Sequence, residues 1–187
     1  MKERPFIPNE IIDSDNKYIR IKLSEKFSTI IDKSDYEKIK RIRWSISSQR
    51  DKTKPYCSGY DRKSKRKIRM SRFILGIKSD KIKVDHKNNN RLDNRRSNLR
   101  KCSLIENKYN CSTMKRNLLG IKGVSFDHRS NKFYARICYC YNKIHIGTFD
   151  NIIDAAIAYN IKAKELFKDF AFLNDIESLR NIANSER

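Results

Sequence analysis

An Asp–His pair, Asp85–His86, stands where the short run Lys81-Ile82-Lys83-Val84 gives way to a stretch rich in Asn and Arg. Successive residues of a strand point to opposite faces, so a strand ending in this pair lets a carboxylate and an imidazole approach one centre from two sides. Asn98 can hold the imidazole through its other ring nitrogen and so fix the tautomer. Further on, Ser103-x-x-Glu106 has the form of a capping box, which starts a helix and places Asn107 near its first turn. A strand-end Asp and a helix-borne Asn, brought together, make a sparse oxygen site for a hard divalent cation: Mg²⁺, with Mn²⁺ as the alternative. Phosphodiester hydrolysis needs little more than a neutral His to take a proton from water and one ion to neutralise the leaving oxyanion. Singly, an Asp–His dipeptide or an Asn-rich loop is ordinary turn chemistry. The ordered set points to a site.

The rest of the composition names the partner such a site would need. The chain of 187 residues carries 43 Lys+Arg against 22 Asp+Glu, a formal charge of +21. That excess fits a polyanion such as nucleic acid, the alternative being a solvated basic surface that only keeps the chain dissolved. No apolar run has the length of a membrane span, no signal peptide is read at the N-terminus, and no membrane or small-molecule substrate is expected. The five cysteines (57, 102, 111, 138 and 140) contain no CxxC, so reduced thiols in a cytoplasm are expected rather than a zinc site.

The elements that must position these groups fall into three stretches. From Tyr18 to Ile77 the alternation of YIRIKL and RIRWSIS, and the run KIRMSRFIL, predict short strands, with a short helix at DKSDYEKIKRI between the first two. The stretch from Lys81 to Cys111 holds the site. From Leu119 to Asn174, IKGVSF, KFYARICY and KIHIGTF predict three strands. A helix follows, with Ile152, Ala155, Ala156, Tyr159, Ala163, Leu166 and Phe167 on one face and Asp150 or Asn151 as its cap.

VDHKNNNRLDNRRSNLRKCSLIEN resembles the HNH motif of homing endonucleases, the ββα-metal nucleases of phages and introns. The resemblance implies His86 as general base, Asn98 as the residue that orients it, and Asp85 and Asn107 as metal ligands. It makes Asn90 and Asn94 structural loop residues. Two positions depart from the pattern: Ser71 stands where many relatives have His, and Asn89 where Gly is usual, which asks Asn89 to adopt a left-handed conformation.

The segment from Gly120 to Asn174 resembles the DNA-binding domain of plant ethylene-response factors, the APETALA type. The likeness rests on KGV, IGTFD, AA-x-AYN and AFLN. It implies one helix on a three-stranded sheet whose free face enters the major groove, with Lys122, Arg136, Lys143 and His145 facing DNA. The basic run from Arg62 to Arg69 reads as a phosphate-contacting hairpin, with Arg66 and Arg69 on the backbone, and Arg95 and Arg96 are expected to draw in the scissile strand.

These readings give an α+β protein. Residues 1–113 would form a strand-rich leader and a ββα core from about 70 to 113; residues 114–187 would form the sheet domain, with its core at about 119–174. The function expected is metal-dependent, site-directed cleavage or nicking of double-stranded DNA by a monomer, in a bacterial host's cytoplasm if the chain is phage-encoded. The alternative is a catalytically silent DNA-binding protein, with an RNA-binding protein third.

Overall fold

The computed structural model describes residues 7–47, 55–112, 117 and 119–185. It is an α+β chain, as expected, made of small antiparallel sheets and few helices. Two compact units divide it, residues 1–104 and 105–187.

In the first unit, strands β1 (Ile11–Ser14), β2 (Tyr18–Lys22) and β3 (Ser28–Asp32) form one antiparallel sheet in that order. Alternation sets its inner face: Ile19 and Ile21 of β2, and Thr29 and Ile31 of β3, are buried, while Arg20 is exposed. A single 3₁₀ turn and helix α1 (Tyr36–Ile39) lead to the second sheet, β4 (Trp44–Ser47), β5 (Tyr56–Asp61) and β6 (Arg66–Arg69). Trp44 anchors the core and donates its indole N–H to the Ile39 carbonyl at 2.9 Å. Across from it only glycine fits at position 59, where a Cβ would come within 2.5 Å of Ile42 and 3.1 Å of the Trp44 ring.

The run KIRMSRFIL, expected to be a strand throughout, divides after Arg69. Arg66–Arg69 pairs with β5, and Met70–Ile74 turns into helix α2. Met70 and Ile74 share a face in either period, but a strand would turn Arg72 inward between them, whereas the helical turn buries Ser71 with them and leaves Arg72 half-buried. Ser71 is buried in the same turn. The hairpin β7 (Lys83–His86) and β8 (Leu99–Cys102) then carries the loop of residues 87–98.

Helix α3 (Leu104–Tyr109) runs into the second unit, where the Tyr109 ring stacks on Phe167 with centroids 4.0 Å apart. Strands β9 (Val124–Asp127), β10 (Lys132–Tyr139) and β11 (Asn142–Phe149) form an antiparallel sheet with β10 in the centre. Helix α4 (Ile152–Phe167) packs Ala155, Ala156, Tyr159, Ala163 and Phe167 into the unit's core, where Val124, Ala135 and Ile137 of the sheet are also buried. Asn151 caps α4, its side-chain oxygen accepting from the Asp154 N–H at 2.8 Å. Helix α5 (Ile176–Ser185) was not expected from the sequence; Ile176 and Leu179 pack on the same core.

Candidate active site

Asp85 and His86 end β7 as expected, and both are buried. Register places Asp85 opposite Arg100, whose Nε and Nη2 lie 2.7 and 2.6 Å from Oδ2. The carboxylate therefore meets a guanidinium inside its own hairpin.

The loop after His86 is built from its own asparagines. Asn98 accepts the Asn88 N–H at 3.0 Å and donates to the Asp93 carbonyl at 2.8 Å. Asn90 accepts the Leu92 N–H at 3.0 Å. Asn89 takes the left-handed conformation the sequence required, with φ of 60°. Burial pushes the Asp93 carboxyl up, but the fork of Arg95, at 2.6 and 2.8 Å, holds it below the usual carboxylate range. Arg96 forks onto the buried Asp35 at 2.7 Å for each bond and reaches the Ile74 carbonyl. The guanidiniums of Arg95 and Arg96 thus clamp the loop.

A residue the sequence reading left as loop structure holds the histidine. The His86 Nε2 lies 3.3 Å from Oδ1 of Asn94, which is almost fully buried. The other end of that amide donates to Thr29 Oγ1 at 2.9 Å, and Thr29 donates to the Leu92 carbonyl at 2.7 Å. Thr29 has one proton and gives it to Leu92, so it receives from Asn94. That turns Asn94 Oδ1 toward His86 and makes Nε2 the protonated nitrogen, leaving the lone pair of the neutral ring on Nδ1. Main-chain bonds fix the whole arrangement, from Ile30 N–H to the Leu92 carbonyl and from Asn94 N–H to the Ile30 carbonyl. Burial holds the His86 pKa below its usual 6.5, and the Arg91 charge acts the same way; Asn94, Asp85 and Asp93 oppose them. A ring with its pKa lowered in this way favours the neutral form near pH 7. No local pattern pointed to Thr29, which lies on another sheet.

Asn107 is half-buried on α3 in the second unit, and its carbonyl accepts from the Cys111 thiol. Asp85 and Asn107 thus belong to different units, and each carries an oxygen of the kind a hard divalent ion accepts. Among the described residues, no group of three or more His, Cys, Asp or Glu side chains gathers as a metal cluster.

Arg66 is exposed on β6, and Arg69 is half-buried with its guanidinium 4.1 Å from the Tyr56 ring centre. In the second unit Arg136 stands opposite His145 on the sheet, and Lys143 opposite Cys138, with all four exposed. Lys122 differs from them. Its ammonium donates to the Tyr109 carbonyl at 2.6 Å and lies 5.2 Å from the Phe172 ring, and burial brings its pKa down to about 8.

A protein of Acanthamoeba polyphaga mimivirus described as an uncharacterized HNH endonuclease is 34% identical to this chain over 117 residues. The match covers 59% of this chain and 59% of that protein, so the chain spans about three-fifths of its relative's length. This chain is similar to an HNH endonuclease. No family model and no solved structure matches it. Among the described residues no helix is long and apolar enough to cross a membrane.

Proposed function

We propose that this chain is a divalent-metal-dependent DNA endonuclease of the HNH homing type. The observation that carries the reading is the buried His86 next to Asp85, its ring held by the Asn94 amide that Thr29 orients, in a strongly basic chain. His86 Nδ1 takes a proton from water, whose oxygen attacks the phosphorus while the P–O3′ bond breaks. Asp85 and Asn107, assigned by their places in the motif, would hold the Mg²⁺ or Mn²⁺ ion, which supplies positive charge against the departing 3′ oxygen. One such centre in a monomer cuts one strand at a time. The β9–β11 sheet, with its ethylene-response-factor likeness, lays Arg136, Lys143 and His145 along the groove and positions the cut.

The ion pair of Arg100 with Asp85 favours a second reading, a catalytically silent DNA-binding protein on the same fold. Supercoiled plasmid and Mg²⁺ decide between the two. Nicking is expected, and His86→Ala should lower it about 10²- to 10⁴-fold with binding unchanged in the absence of metal. A plasmid left intact by protein that binds it would sink the nuclease reading and leave the silent one.

A further inference from the structure

The sheet β4–β5–β6 has a second face that takes no part in the chemistry proposed at His86, although the sequence reading set Arg69 at its edge against the DNA backbone. Cys57 and Gly59 turn toward the core, so alternation turns Tyr56, Ser58 and Tyr60 the other way, level with Ser45 and Ser47 of β4 and with Lys67 and Arg69 of β6. A cavity of about 190 Å³ opens on this face, lined by Ser47, Tyr56, Ser58, Lys67, Ile68 and Arg69. It is far larger than the ~30 Å³ share of one water and smaller than the ~300 Å³ at which pockets for drug-sized ligands begin. A tetrahedral anion with part of its ester chain fits such a volume.

The lining chemistry agrees. Ser58 is 2% exposed, and its hydroxyl is the buried side-chain polar atom that lacks a hydrogen-bond partner among the described residues. Such an orphan is costly unless a ligand satisfies it. Neither Lys67 nor Arg69 is paired with a carboxylate among the described residues. Lys67 reaches the Ser47 hydroxyl at 3.2 Å, and Arg69 lies over the Tyr56 ring, a stacking that holds its planar fork in place. The guanidinium of Arg91 lies over the same ring, 4.2 Å from its centre, and Arg91 belongs to the loop that follows His86. The Lys67 ammonium, the preset Arg69 guanidinium fork and the unsatisfied Ser58 hydroxyl make a cradle for a singly charged phosphodiester.

We propose that this cavity holds a backbone phosphate of the DNA duplex outside the scissile position, with Ser58 donating its hydroxyl and Lys67 and Arg69 supplying charge. The inference rests on the reading of the chain as a DNA-acting protein and adds a fixed point that sets the register of the strand delivered to His86. It is tested with the full chain, duplex DNA and no divalent metal, by fluorescence anisotropy across a salt series. Ser58→Ala is expected to weaken binding about tenfold, the loss of a hydrogen bond to a charged group, while its melting temperature stays equal or rises because an orphan hydroxyl is gone. Lys67→Gln, at an exposed position, should reduce the log–log salt slope by about 0.9. If both groups hold one phosphate, the double variant loses less affinity than the product of the single losses. Unchanged affinity in Ser58→Ala, or strictly multiplicative losses, overturns the cavity proposal alone. Binding without nicking by the unaltered chain sinks only the nuclease reading, and no duplex binding at all overturns both.

Discussion

The loop of residues 87–98 with its hairpin and the outer face of β10 and β11 are both rich in cations, and they commit them in opposite ways. In the first, Arg95, Arg96 and Arg100 each face a carboxylate that is itself buried: Asp93, Asp35 and Asp85. In the second, Arg136 and Lys143 are exposed and have no carboxylate partner among the described residues. A buried carboxylate without a cation is expensive, so the first set is fixed by folding. The second set is tied to no carboxylate among the described residues and leaves its charge exposed to solvent. Net charge counts both sets alike, yet only the second should appear in a salt titration.

That contrast can be broken at graded points. Asn94→Ala removes the acceptor that sets the His86 tautomer, and should slow nicking about 10- to 100-fold while DNA affinity holds. An equal fall in affinity would make Asn94 a scaffold for the DNA surface and not a positioning residue. Arg96→Ala should cost about 1–2 kcal/mol of stability by thermal or urea melting, discounted because half of the Arg96 side chain is exposed, with little change in salt slope. Lys143→Gln should do the reverse, leaving the melting temperature in place and lowering the slope by about 0.9. Lys122→Gln should leave the slope where it was, since that ammonium is bonded to Tyr109. A drop equal to that of Lys143→Gln would return Lys122 to the groove.

The pH dependence sharpens the same division. The His86 pKa lies below 6.5 in the fold, so between the two values the unfolded chain binds a proton that the folded ring refuses. Stability contributed by the neutral ring is present above pH 6.5 and lost as the pH falls through the window beneath it. Melts at stepped pH should show that loss, and His86→Asn should flatten it. Nicking should hold through most of that window and fall at its lower end, where the folded ring itself takes up a proton and the base is lost.

What was legible in the sequence was whatever depended on near neighbours. The alternation of Ile19 and Ile21, the cap at Asn151, the α4 face and the parity of Ala135 and Ile137 all follow from spacing of a few residues, and the structure has them. Asp85 and His86 were readable as a strand end for the same reason. The break after Arg69 was not, because a short run of apolar and basic residues satisfies either period until the core decides. Helix α5 escaped because its packing residues, Ile176 and Leu179, lie among polar ones and find their partners on other elements. The partner of His86 escaped for a deeper reason. Asn98 and Asn94 are chemically the same, and what separates them is Thr29, 65 residues before Asn94 in the chain.

The isolated parallel bridge between Ile30 and Asp93 has a consequence for inheritance. A gene fragment coding for residues 70–113 would transplant every residue the motif names and none of the β3 backbone on which the loop hangs. Its histidine would arrive with the wrong freedom, able to protonate either nitrogen. The unit that carries the His86 setting intact therefore begins before Thr29, and an exchange within the leader would release that ring without touching its hairpin.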